Sequence, residues 1–105
     1  MAEIKKIGRF EGIFQSPKNG SKVTSLIILL HGWGADASDM FGLAPILSQI
    51  RAGCGFYAPN ALSTCSASPL GREWFDIQEG EKGAMMAFDD VNELIQGVLD
   101  EFSLT

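Results

Sequence analysis

The chain has 105 residues, a net charge of −5 and 46% hydrophobic residues. That length holds one small domain or part of a larger one, and the apolar content is that of a globular protein. The acidic balance, with Lys5-Lys6-Arg9 as the only basic cluster, argues against nucleic acid or an anionic membrane surface as partner.

Residues 1–6 lack the apolar core of a secretion signal. No apolar run approaches the ~20 residues needed to span a bilayer, so no transmembrane segment is expected and the expected location is cytoplasmic. Residues 8–15 alternate weakly and place Phe10, Ile13 and Phe14 in an early, partly exposed strand or hairpin arm. Residues 16–21 predict a turn, because Asn19-Gly20 readily supplies positive φ. Residues 22–30 end in Leu26-Ile27-Ile28-Leu29-Leu30, a run that predicts a strand buried on both faces. His31-Gly32-Trp33-Gly34 follows at once. Its glycines permit a sharp turn, and a buried strand ending this way is suited to aiming backbone N–H groups at a developing negative charge.

Asp36, Ser38 and Asp39 are N-cap candidates for a helix over 40–52 carrying Met40, Leu43, Ala44, Leu47 and Ile50. Pro45 shifts the regular part of that helix towards Leu43, with the proline in the first turn. Residues 55–58 form a second buried strand, ended by Pro59-Asn60. Residues 61–73 read as a long polar loop, a feature that is often functional. After Gly83, the residues Ala84, Phe88, Val91, Ile95, Val98 and Phe102 step by threes and fours, with Leu94 and Leu99 beside them. This predicts a helix packed on a sheet. The order strand, helix, strand, helix implies an α/β layer fold with a parallel strand pair and helices on both faces.

The chemistry-bearing residues are few. Cys54 and Cys65 are expected to be reduced, and no Cys/His spacing suggests a metal. Ser63, Thr64, Cys65 and Ser66 lack a neighbouring base and read as a polar loop. A Cys54–His31 dyad is disfavoured, because one residue begins a strand and the other ends one. His31 is the sole histidine, and no Gly-x-Ser-x-Gly occurs in the 105 residues. Asp36 and Asp39 read as helix caps, and Asp76 as a local hydrogen-bond acceptor.

Three blocks in series resemble the carboxylesterase/lysophospholipase family of α/β-hydrolases, which includes the acyl-protein thioesterases. They are Leu30-His31-Gly32-Trp33-Gly34-Ala35-Asp36 with Asp39 and Leu43-Ala44-Pro45, then residues 56–61 (Phe-Tyr-Ala-Pro-Asn-Ala), then Gly71-Arg72-Glu73-Trp74-Phe75-Asp76. The resemblance implies the N-terminal half of an α/β-hydrolase fold: one partial domain over 1–105, with a short, mostly parallel sheet, that stops before the family's nucleophile elbow. It implies that the Trp33 backbone N–H is an oxyanion donor. His31, Gly32 and Gly34 would support that loop, and Trp74 and Phe75 would line the substrate. Such a chain belongs to a serine carboxylesterase or thioesterase acting on ester or thioester bonds without metal or organic cofactor. It is expected to be inactive alone, because the Ser, Asp and His are missing. The expected partners are a complementing chain or further copies of itself, with Ile28, Phe88, Ile95 and Phe102 at the interface. The alternative is a non-catalytic α/β domain that binds a protein or a hydrophobic ligand.

Overall fold

The computed structural model describes residues 2–17, 22–47 and 53–104. The Asn19-Gly20 turn and the end of the 40–52 helix, with Ile50, lie outside them. Strands β1 (Ala2–Ile7) and β2 (Phe10–Gln15) form an antiparallel hairpin. β3 (Ser25–Ile28) and β4 (Cys54–Pro59) pair in parallel, as the strand-helix-strand order predicts. β2 joins β4 antiparallel, so the sheet order is β1-β2-β4-β3. The sheet is therefore mixed rather than mostly parallel. The excess of antiparallel pairing comes from the hairpin, whose first strand lies before the arm that the sequence pattern places at residues 8–15.

Between β3 and β4 the chain makes two short helices, α1 (Ala37–Phe41) and α2 (Ala44–Leu47). The single predicted helix is broken at Gly42-Leu43, and Pro45 falls in the first turn of α2, where its missing N–H costs no helical bond. Asp36 caps α1 through a capping box. Asp39 N–H donates to Asp36 Oδ1 at 3.3 Å, and Asp36 N–H donates to Asp39 Oδ2 at 3.0 Å. The predicted polar loop contains a small antiparallel pair, β5 (Ser63–Thr64) with β6 (Arg72–Glu73). A 3-10 turn (Ile77–Glu79), capped by Asp76, leads into the long helix α3 (Gly80–Glu101).

The period-two pleat separates two cores. Ile27, Leu29, Phe56 and Ala58 face α1 and α2, with Phe41 and Leu47 against them. Leu26, Ile28 and Tyr57 face the other way, where Leu94 and Val98 of α3 pack with Ile7, Phe10 and Phe14. The helices thus cover opposite faces of the sheet. Arg9 ties the hairpin to α3 through Glu93 (2.8 Å) and Asp90 (3.1 Å), and these bonds hold its guanidinium protonated more firmly than usual.

Two expectations about burial need correction. β3 is half-buried along its length, because it is an edge strand here. α3 buries Gly83, Ala87, Leu94 and Val98, while Phe88 is 66% and Ile95 is 42% exposed. The apolar arc of α3 is wider than the sheet it rests on. The small residues Gly83 and Ala87 let the helix sit close, and the larger Phe88 and Ile95 lie roughly a quarter turn further round.

Candidate functional site

The carboxyl ends of β3 and β4 converge on the His31–Ala35 segment. After Leu29, whose N–H donates to Tyr57 O at 2.9 Å, the chain leaves the sheet and turns. Ala35 N–H closes the turn on Gly32 O at 3.2 Å. Gly34 sits at its third position with φ +82°, a conformation that L side chains rarely adopt. The neighbouring strand β6 clips this turn from both sides. Gly34 N–H donates to Arg72 O at 2.9 Å, and Arg72 N–H donates to Ala35 O at 2.8 Å. Gly71 makes the approach possible, since a Cβ there would run into the Gly34 carbonyl. The bonds that shape the turn thus use the N–H groups of Gly34 and Ala35. Trp33 stands at its second position.

His31 lies below the turn, 3% exposed. Its Nε2 accepts the Ala61 N–H at 3.0 Å, so the ring proton belongs on Nδ1, which lies 2.7 Å from Gly32 O and donates to it. Both ring nitrogens are engaged within the fold, an arrangement that braces the turn and leaves no lone pair to accept a proton from a nucleophile. Trp74 seals this layer from beneath. Its indole Nε1 donates to His31 O at 3.0 Å, and its ring lies 5.3 Å from the imidazole and 6.3 Å from Phe10. Phe75 sits in contact range of Gly83 on α3. The structure therefore brings His31, Gly32, Trp33, Gly34 and Trp74 together around one turn and directs Phe75 towards the helix.

The other candidates are placed elsewhere. Asp36 serves α1, and the Ser38 hydroxyl, at 2.8 Å, is the main cause of its lowered pKa. Cys54 pairs with Ser25 at the opposite end of the parallel pair from His31, about 20 Å away along the strands. That geometry forbids a dyad. Cys54 and Cys65 are both buried free thiols. Ser66 donates its hydroxyl to Glu73 at 3.1 Å. Among the described residues, no group of three or more His, Cys, Asp or Glu side chains converges as a metal ion requires, and no helix is long and apolar enough to cross a membrane.

Glu73 is the site residue that sequence reasoning did not single out. A lone glutamate in a polar stretch gives no sign of burial, yet it is only 6% exposed. Its Oε1 accepts from Ser66 N–H at 3.0 Å, from the Ser66 hydroxyl at 3.1 Å and from Trp33 Nε1 at 3.2 Å. The Ser66 N–H, with smaller help from the Ser66 hydroxyl, Cys65 and the Trp33 indole, holds its carboxyl below the usual glutamate range despite burial.

Residues 13–101 match the profile of the family described as Phospholipase/Carboxylesterase. The fold is similar to the crystal structure of esterase PE8, with a TM-score of 0.80 and 24% identity over 90% of this chain. The match takes in 47% of that esterase, so the chain spans about half its length.

Proposed function

The chain belongs to the phospholipase/carboxylesterase family, and we propose that it supplies the oxyanion-stabilising half of a serine esterase or thioesterase site. The observation that carries this reading is the clamped turn, with Trp33 at its second position and His31 fixed beneath it. In the proposed reaction a serine outside these 105 residues attacks an ester or thioester carbonyl. The carbonyl oxygen gains negative charge, and the Trp33 backbone N–H donates to it. A donor already aimed by the fold needs no reorganisation when that charge appears. His31, Gly32 and Gly34 hold the donor in place, and the Trp74-Phe75 segment borders the acyl group. The general base must also come from elsewhere, since both nitrogens of His31 are engaged.

The partner in this proposal is the remainder of a hydrolase fold, seated on the flank where β3 and the exposed arc of α3 lie together. Leu99 of α3 and Val23–Leu26 beside it line one open groove of about 510 Å³, so the two features face the same side. In this proposal Ile28, Phe88 and Ile95 contribute to that surface, which self-association would also cover; Phe102, expected there as well, instead stacks on Phe14 at 5.0 Å beneath Lys5, on the hairpin side. A cytoplasmic location fits two free, buried thiols. The exposed apolar arc also supports a second reading, a non-catalytic domain that binds a protein or hydrophobic ligand.

The test is reconstitution. The 105-residue chain alone should give no ester turnover and no fluorophosphonate label. Mixed with a family fragment carrying the serine elbow, it should restore turnover that Trp33→Pro abolishes. Label on Ser63 or Ser66 of the chain alone would overturn the assignment. Tight binding of the fragment without turnover would favour the second reading.

A further inference from the structure

We propose that Glu73 is a positioning residue that acts through Trp33, pinning the indole in one orientation so that it forms a fixed wall beside the oxyanion donor. This rests on the reading of Trp33 given above. The turn backbone is already clipped by Arg72 and braced by His31, so it does not need Glu73 to hold it. The Trp33 ring is different, since it is 43% exposed, and an exposed ring on a turn samples several rotamers unless something holds it. Its single polar atom, Nε1, reaches Glu73 Oε1 at 3.2 Å across 40 residues of sequence.

The acceptor is unusually well fixed. Glu73 sits on β6, whose neighbour Arg72 makes the backbone clip to the same turn. The β5–β6 pair and the Cys65 N–H bond to Gly71 O at 3.0 Å hold the Ser66 end of the network. Ser66 then grips the same carboxylate oxygen through both its N–H and its hydroxyl. A buried carboxylate is costly unless its lone pairs are satisfied, and here three donors meet one oxygen. The arrangement binds the wall and the donor to one rigid body. Substrate passing Trp33 meets a surface whose shape is set by Glu73, so the acyl groups admitted on that side depend on a residue that does not touch them.

Trp33 and Trp74 are the only tryptophans, which makes the experiment direct. Indole N–H exchange is followed by NMR on the 105-residue chain, with Trp33→Phe assigning the two signals. This readout does not depend on turnover, so a failed reconstitution and a failed Glu73 role are separately visible. In the unaltered chain both indoles should be protected. Glu73→Ala should speed exchange at Trp33 roughly tenfold to a hundredfold, as loss of a hydrogen bond to a charged acceptor predicts. Trp74, bonded to the His31 carbonyl, should keep its rate. Glu73→Gln retains an acceptor oxygen and should restore part of the protection at Trp33. A purely structural glutamate would alter both indoles together or neither. The proposal is overturned if the Trp33 indole of the unaltered chain exchanges like a free indole, or if its protection survives Glu73→Ala. Should Glu73→Ala fail to fold, the unaltered chain and Glu73→Gln decide: an unprotected Trp33 indole in the first, or a Trp33 signal unmoved in the second, counts against it.

Discussion

β1 and β3 both border the sheet, yet β1 carries Glu3, Lys5 and Lys6 among its six residues whereas β3, Ser25-Leu26-Ile27-Ile28, carries no charge. Charged side chains along an edge make it a poor template for another strand. The difference extends to what lies alongside. Near β1, Lys5 pairs with Glu101 at 3.1 Å and rests over the Phe14 and Phe102 rings. Near β3 lies an open groove that it shares with Leu99 of α3. Two strands in the same position within a sheet can thus differ in what their composition is suited to meet, water in one case and more protein in the other.

The largest effect expected on stability comes from the side of α3 that both edges share. Leu94→Ala should cost about 2–5 kcal/mol, because Leu94 is fully enclosed by Ile7, Phe10 and Tyr57. Denaturant unfolding measures this, and a loss below 1 kcal/mol would mean that α3 is not seated as described. Next, Phe88→Glu and Ile95→Glu should each weaken association on the β3 flank by roughly ten- to a hundredfold, given about 1.5–3 kcal/mol per buried large apolar side chain. They should barely change the fold itself. Sedimentation at micromolar concentration reads this, and a folded, monodisperse monomer before substitution would break the contrast between the edges.

A smaller effect follows from Tyr57, whose hydroxyl donates to Lys5 O on β1 at 2.9 Å. Burial, with help from Glu11, pushes its pKa from 10.0 up to about 12. The native state therefore keeps this proton longer than the unfolded chain does. Its contribution is whole below pH 10 and is lost as the pH rises towards 12. The alkaline limb of a stability–pH curve should be shallower in Tyr57→Phe than in the parent chain, and identical limbs would rule the effect out. The smallest effect belongs to the β1 edge. Ile4→Lys, at a side chain 74% exposed, should stay within about 0.5 kcal/mol and leave association unchanged.

The same contrast explains what could be read from the sequence. The run Leu26–Leu30 and the glycines after it located the parallel pair and the turn, because apolar continuity and paired glycines are strong local signals. Asp36 is legible as one of three N-cap candidates, and Pro45 as a first-turn residue, because side-chain oxygens and a missing N–H are local signals, whereas the reciprocal Asp36–Asp39 box is seen only in the structure. β1 was missed, since Glu3, Lys5 and Lys6 hide a strand whose partner lies across the hairpin. The buried face of α3 was misplaced, because Phe88 and Ile95 outweigh Gly83 and Ala87 in any apolar pattern. Which part of a wide apolar arc meets the sheet depends on how much sheet is present. In the site, the bracing role of His31 comes from the family resemblance rather than from any local signal, whereas Glu73 is invisible in the sequence as a buried anchor. Its burial is created by Trp33 and Ser66 arriving from other segments.

The strand order β1-β2-β4-β3 also sets an order of assembly. Among the described residues, β4 is the strand through which the hairpin and β3 meet. The hairpin can close early, since its two strands are neighbours in sequence. β3 must wait with an exposed apolar run until residues 54–59 have been made and have slotted between it and β2. Leu94 and Val98 of α3 then close over Phe10 and Phe14 from 80 or more residues away. Contacts so distant in sequence slow folding and lengthen the time that Leu26–Leu30 stands open to wrong partners. During synthesis the most apolar segment of this chain is thus the one that waits for its neighbour, and it is there that chaperone binding or misassembly would begin.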